Sequence, residues 1–412
     1  MKRRVVVTGM GAVTPVGNTV AETWDAIVAG KNGIDFITRC DTSHMKVKIA
    51  GEVKNLDVDK YIDPRESRRL DRTAIFALIA SKQAYEEAGL PAADFDRDRF
   101  GVFVTSGIGG LETINNESRK AHEKGPSRLS PFFVPNSIIN IIGGNIAIAF
   151  QAKGPNLPVV TACSAGTNSI GEAFRYIRDG YLNIAFAGGA EAPINQLGVG
   201  GFTSMRALNV TNKPDEASIP FDLRRSGFVV AEGAGVIIAE ELEHAKKRGA
   251  RIFAEIIGYS STCDAYHITA PDESAMGITK AITGAINDAG ITPDMIDHIN
   301  PHGTATPYND RLETLAIKKA LGKQAYNVNI SATKSMTGHS LGATGAIETI
   351  LTVKAILHDI CPPTINYRDF DPDCNLNYTP NCAVRRTINY AINNSVGFGG
   401  QNATLILKKY IG

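Results

Sequence analysis

The stretch VVTACSAGTNSIGEAFRYI (Val159–Ile177) decides the reading of this chain. An apolar run gives way at Cys163 to small residues, and then Ile170, Ala173, Phe174 and Ile177 recur at i, i+3, i+4, i+7. That pattern predicts a strand ending at the cysteine and a helix beginning there. A second stretch, NISATKSMTGHSLGATGAIETIL (Asn329–Leu351), repeats the order of strand, small-residue turn and helix. VVAEGAGVIIAEE and SVGFGGQNATLILKK both pass from a glycine turn into a strand. The two sets read as weak copies of one unit. The charged segment AKKRGAR, around Lys246–Arg251, divides them. Two similar halves are expected, residues 1–250 and 251–412, each a sheet with helices, packed face to face.

Outward from these stretches, short β-branched runs such as RVVVTG, RFGVFVTSG and GVIIAEE alternate with amphipathic segments such as Arg72–Ala88. This alternation predicts an α/β protein with mainly parallel, buried strands. The 412 residues carry 43 Lys and Arg against 42 Asp and Glu, a net charge of +1. No global field therefore argues for nucleic acid or a membrane surface as partner. The N-terminal MKRRVVVTG has too short an apolar run for a signal peptide, and no stretch is long enough for a membrane span. Six scattered cysteines without a CxxC pair fit a reducing cytoplasm and argue against both a disulfide framework and a zinc site.

The chemistry concentrates at turns. Free amides and partial positive charge at a helix start favour thiolate over thiol, which makes Cys163 a candidate nucleophile. The alternative for Cys163 is a small buried hydrophobe. NPHGTATP supplies His302, and TKSMTGHSLGATG supplies Lys334 and His339 on a loop entering another helix. Each histidine alone is more often structural. Together, at turns of the second half matching the cysteine's turn in the first, they point to one shared site at strand C-terminal ends. GHSLG (Gly338–Gly342) matches a nucleophile elbow with Ser340 as nucleophile, but Lys334–Thr337 separate it from the preceding strand, and Glu348 and His358 share one helix. GMGAVT resembles a dinucleotide loop but has Thr14 where the third glycine belongs.

With these residues assembled, the chain resembles the β-ketoacyl-acyl carrier protein synthases, and most of all their type II members. VVVTGMGAVTPVG, TACSAGTNSIGEAFR, PFDLRRSGFVVAEGAG, HGTATPYND, TKSMTGHSLGATGA and GFGGQNA carry the likeness nearly end to end. The resemblance implies a thiolase-like fold, two βαβαβαββ halves in a five-layered αβαβα sandwich, usually homodimeric. It implies decarboxylative Claisen condensation of an acyl group with malonyl-acyl carrier protein, giving 3-oxoacyl-acyl carrier protein and CO2 in fatty acid elongation. Cys163 would carry the acyl group, His302 and His339 would promote decarboxylation, and Lys334 with Glu348 would order the site. The amides of Cys163 and Phe398 would form the oxyanion hole, with GFGG, including Gly399, as a gate. Thr304 and Thr306 would contact the pantetheine arm, and Ile108 would line the acyl pocket. Val396 stands where the family usually has a second phenylalanine, and Pro301 where alanine is usual.

No cofactor and no metal centre are expected, although a monovalent cation near Asn300, Glu348 and Asn393 is compatible with the resemblance. The partner is an acidic carrier protein, so a basic face is expected. Asp63-Pro64-Arg65-Glu66 reads as a capped helix start, with Arg65, Arg68, Arg69 and Arg72 on one stripe. From pattern alone this is a solvated charged face; the resemblance makes Arg65, Arg68 and Arg69 docking residues, with Arg128 and Arg206 beside them. The rival readings are a ketosynthase of polyketide or aryl-polyene assembly, a thiolase, and a non-catalytic chain-length partner. A thiolase needs a second cysteine near GFGG, which this chain lacks, and chain-length partners lack the nucleophile.

Overall fold

The computed structural model describes residues 2–412. The first strand set is β1 (Val5–Val13), β2 (Phe100–Thr105), β3 (Ile184–Glu191) and β4 (Gly233–Glu241). Helices α1 (Arg72–Glu87), α2 (Asn140–Phe150) and α3 (Ala165–Arg178) run between them. The second set is β5 (Ala254–Cys263), α4 (Met276–Ala289), β6 (His298–Asn300), α5 (Pro307–Leu321), β7 (Asn329–Ile330), α6 (Thr344–His358), β8 (Tyr390–Gly397) and β9 (Gln401–Lys408). The strands lie in the order β2-β3-β4-β1-β5-β9-β8-β6-β7. Read outward from the β1/β5 junction, both sets follow one plan. Val5–Val7 pair with Ala254–Ile256 across that junction, so the two half-sheets meet edge to edge as well as facing each other.

Three apolar layers account for the expected sandwich. Phe76, Ile79 and Ala80 of α1 and Ile142 and Ile146 of α2 cover one outer face. Ile278, Ile282, Leu312 and Ile317 of α4 and α5 cover the other. Between the half-sheets lie α3, through Ile170, Phe174 and Ile177, and α6, through Ile347, Ile350 and Leu351. Each buried aliphatic or aromatic side chain contributes about 1.5–3 kcal/mol, whereas a glycine in a helix costs about 1 kcal/mol. Packing therefore outweighs the poor helix propensity of the glycine-containing α3. In the first strand, Gly9 and Gly11 are packing residues: a Cβ there would meet Ala84 O at 2.1 Å and Ala80 O at 1.9 Å. GMGAVT thus forms part of a continuous strand against α1, not a dinucleotide loop.

Two expectations are corrected. The strands are mixed rather than mainly parallel: β2/β3, β6/β8 and β6/β7 are parallel, and the other five neighbour pairs are antiparallel. Helices cover both faces, so an antiparallel strand here is as uniformly apolar as a parallel one, and pattern cannot separate them. LPVVTA is not a regular strand. Val102 donates to Pro155 O and Leu157 donates to Val102 O, both at 2.9 Å, and the pairing stops there. Pro158 has no N–H to continue it.

Candidate active site

The nucleophile turn is built from this extended segment. Ala162 takes a left-handed conformation (φ 51°), residues Ala162–Ser164 form a single tight turn, and α3 follows. Thr161 O accepts from Ser164 N at 3.1 Å and from its hydroxyl at 2.8 Å. Asn168 Nδ2 donates to Thr161 Oγ1 at 2.7 Å, and the Tyr259 hydroxyl, from the second strand set, donates to Asn168 Oδ1 at 2.7 Å. Cys163 is buried at this turn, and its own amide and that of Phe398 favour its charged form. Its ionisation departs from expectation. Burial pushes the thiol up to about 12, against the opposing pull of Lys334 and the two amides. A helix terminus supplies at most about 2 kcal/mol, less than the cost of desolvating a thiolate. Burial therefore favours the thiol over the thiolate.

His339 enters from the other half. Its backbone N donates to Val229 O at 2.8 Å, and its carbonyl accepts from Ala231 N at 2.9 Å. Its Nδ1 lies 3.0 Å from Thr344 Oγ1. The His302 and His339 rings stand edge to face with centroids 5.3 Å apart. Burial, then Lys334, holds both histidines well below the ordinary imidazole range, so they are neutral. Lys334 is itself buried, in the one-turn helix Lys334–Thr337. Its Nζ donates to Glu348 Oε1 at 2.7 Å. Burial still raises the Glu348 carboxyl to about 7, with Lys334 opposing. Because a helical turn precedes Gly338 and Glu348 pairs with Lys334, the Ser340 elbow has neither its strand nor its acid.

A cavity of about 580 Å³ brings Cys163, His302, His339, Thr304, Thr306 and Phe398 to one wall system, with Val396 and Arg206 also lining it. Thr304 Oγ1 and Thr306 Oγ1 are 3.0 Å apart. Two expected residues lie off its walls. Ile108 packs instead in the apolar cluster containing Cys163 and Leu341, and Gly399 N donates to Ile268 O at 2.7 Å. Arg65, Arg68, Arg69, Arg128 and Arg206 are all exposed. The arginine stripe does not extend to Arg72. The short helix Pro64–Ser67, capped by Asp63, ends at Ser67, and Arg72 turns inward to Glu232 at 2.7 and 2.9 Å.

Among the described residues no group of His, Cys, Asp or Glu is arranged to hold a metal. Asn300 Oδ1, Glu348 Oε2 and Asn393 Oδ1 are, however, buried without protein partners, and Asn300 and Asn393 are register neighbours on β6 and β8. Such an all-oxygen set suits a hard cation. Sequence reasoning missed the carboxylates behind the loops. Glu313 accepts from His302 N and Gly303 N at 2.7 and 2.8 Å. Glu191 accepts from Gly107 N at 2.7 Å and Gly342 N at 3.0 Å. The only signal for Glu191 was an acid closing an otherwise apolar strand, NIAFAGGAE.

Such a site can hold a thioester carbonyl against two amides and present neutral imidazole N–H groups to a developing enolate. The comparisons agree with this chemistry. The chain is 50% identical over 410 residues to 3-oxoacyl-[acyl-carrier-protein] synthase 2 of Synechocystis sp., covering 99% of each. It is 47% identical over 408 residues to the Staphylococcus aureus protein of that name, again covering 99% of each. A solved structure described as a type II PKS acyl-carrier protein in complex with its ketosynthase superimposes with TM-score 0.92 at 34% identity, covering all of both chains. Residues 2–245 match the family described as Beta-ketoacyl synthase, N-terminal domain, and residues 253–368 match its C-terminal domain. This chain belongs to the β-ketoacyl synthase family.

Proposed function

We propose that the protein is a 3-oxoacyl-[acyl-carrier-protein] synthase of type II, extending acyl chains in fatty acid synthesis. The observation that carries the reading is the one cavity lined by Cys163, two neutral histidines and Phe398. The Cys163 thiol attacks the acyl-carrier thioester carbonyl, and the oxyanion forms against the amides of Cys163 and Phe398. Collapse expels the pantetheine sulfur, which takes the thiol proton, and leaves the acyl group on Cys163. Storing it there divides one hard step into two. Malonyl-carrier then loses CO2, and the electron pair is left as an enolate on the thioester oxygen. His302 and His339 donate hydrogen bonds to that oxygen. A Thr344 hydroxyl donating to Nδ1 leaves His339 with its proton on Nε2, where the enolate needs a donor. The enolate carbon attacks the acyl carbonyl, the same two amides hold the new oxyanion, and its collapse expels Cys163 as a thiolate that takes a proton from solvent.

Lys334 and Glu348 keep the histidines neutral and fixed, and Thr304 and Thr306 take the pantetheine arm. Ile108 borders the acyl chain behind Cys163, and the Phe398–Gly400 turn gates the entrance. Arg65, Arg68, Arg69, Arg128 and Arg206 receive the acidic carrier. This is supported by their exposure and by the absence of any ion pair to them among the described residues. Such docking weakens steeply with salt.

Residues 1–250 and 251–412 act as two halves facing one site. A homodimer is supported by Ile138, Ile148, Leu157 and Val160, which stand exposed around the outer edge of β2. Six free cysteines fit a cytoplasmic protein, and no helix among the described residues is long and apolar enough to cross a membrane. Fatty acid elongation is preferred over polyketide assembly because the higher identities fall on synthase 2 relatives. Mass spectrometry of the protein after exposure to acyl-carrier substrates of graded length tests the reading: acyl adducts on Cys163 support it, and their absence overturns it.

A further inference from the structure

The two strand-to-helix turns have the same backbone. Ala162 and Leu341 are both left-handed, at φ 51° and 46°; each opens a three-residue turn, Ala162–Ser164 or Leu341–Ala343, that leads into a long helix. By position, Cys163 in the first turn corresponds to Gly342 in the second. At the first turn Cys163 and Phe398 line the cavity together, and their amides favour negative charge on the sulfur. At the second turn the Gly342 amide also points at an anion, but an internal one. Glu191 Oε2 accepts from Gly342 N at 3.0 Å and from Gly107 N at 2.7 Å. Glu191 Oε1 accepts from the Ser106 hydroxyl at 2.5 Å and from Ile108 N at 3.2 Å.

Glu191 is 1% exposed, and no Lys, Arg or His pairs with it among the described residues. Four donors and no acceptor face it, which is the environment of a carboxylate and not of a carboxylic acid. Burial pushes its pKa up, and the four donors oppose that. The space leaves no alternative occupant: a Cβ on Gly342 would lie 2.3 Å from Gly107 N and 2.8 Å from Glu191 Oε2.

We infer that the Gly342 and Gly107 amides form the second half's counterpart of the oxyanion hole, plugged by the Glu191 carboxylate. Through that plug Glu191 locks the Ser106–Gly109 loop to the loop that carries His339. Glu191 is then a positioning residue for acyl selectivity. Its pin sets where Ile108 stands in the apolar cluster it shares with Cys163 and Leu341. This consequence rests on the acyl-transfer reading above; the plugged anion hole does not.

Two measurements separate them. Amide hydrogen exchange on the intact protein should show Gly107, Ile108 and Gly342 protected, with exchange at least 100-fold faster in Glu191→Gln, whose NH2 group faces donors instead of accepting from them. Acyl loading of Cys163 from short, medium and long acyl carriers, read by mass spectrometry, should fall at least tenfold in Glu191→Gln, with the long-to-short ratio changed threefold or more. If Glu191→Gln does not fold, Ser106→Ala removes one donor and should shift exchange and ratio in the same directions by less. Unprotected amides in the wild-type protein, unchanged exchange in a folded variant, or a uniform loss at all chain lengths overturns the inference. A wild-type chain that loads no acyl group overturns the acyl-transfer reading instead, and the plug then stands or falls on exchange alone.

Discussion

Two loops occupy matching places in the two halves: Ser106–Gly109 after β2, and Pro301–Thr304 after β6. Each has two consecutive amides held by one fully buried carboxylate. Glu191 takes Gly107 and Ile108; Glu313 takes His302 and Gly303. The two acids come from different elements, Glu191 from the end of β3 and Glu313 from the outer helix α5. The common requirement is therefore in the backbone: a loop turning out of a buried strand leaves amides that water cannot reach, and some acceptor must meet them. What the loops present is free to differ. One offers an apolar side chain beside the thiol, and the other an imidazole. The helix starts differ in the same way, with a thiol facing the cavity in one and a glycine against a carboxylate in the other. Matching backbones thus support an asymmetric site.

The comparison can be broken or sharpened by substitution. Cys163→Ala removes the one group that distinguishes the two helix starts, and acyl adducts and condensation should vanish completely, as read by mass spectrometry and product formation. Glu348→Leu leaves Lys334 as an uncompensated buried charge; about 3–5 kcal/mol of stability should be lost, measured by urea unfolding. His302→Ala and His339→Ala should each slow condensation about 10²–10³-fold while acyl adducts still form on Cys163. Equal loss of both half-reactions would remove the division of labour between the halves. Gly342→Ala makes the second turn more like the first, and should cost about 1–3 kcal/mol because its Cβ meets backbone, again measured by unfolding. The smallest effect concerns pH. With the Cys163 thiol pushed up to about 12, thiolate is the minor form throughout the neutral range. Its alkylation by iodoacetamide should therefore rise about tenfold per pH unit up to pH 10. A plateau between pH 7 and 8 would indicate a thiolate already formed at neutrality.

The chemistry-bearing residues were legible because each sits where a periodic segment changes character. Cys163, His302, Lys334 and His339 all lie at such turns; the cysteine and the two histidines line one cavity, and Lys334 pairs with Glu348. The layered α/β class was legible from alternating runs. Strand direction was not, because double-sided burial erases the difference in pattern. The irregular path of LPVVTA and the inward turn of Arg72 toward Glu232 depended on partners far along the chain. The resemblance made Ile108 an acyl-pocket residue and Gly399 part of a gate; where they stand depends on packing against the cluster of Cys163 and Leu341 and on a hydrogen bond to Ile268, partners that are not local in sequence.

By itself, the sequence determined which residues are candidates for the chemistry and that two repeated strand-to-helix turns would carry them, since periodicity and turn chemistry are local properties. Only the tertiary structure decided that burial pushes the Cys163 thiol up and holds the two imidazoles down, and that Glu191 and Glu313 close the backs of the site. Those outcomes depend on how much water is excluded and which donors are left facing inward, and both arise only when the two halves close over one another.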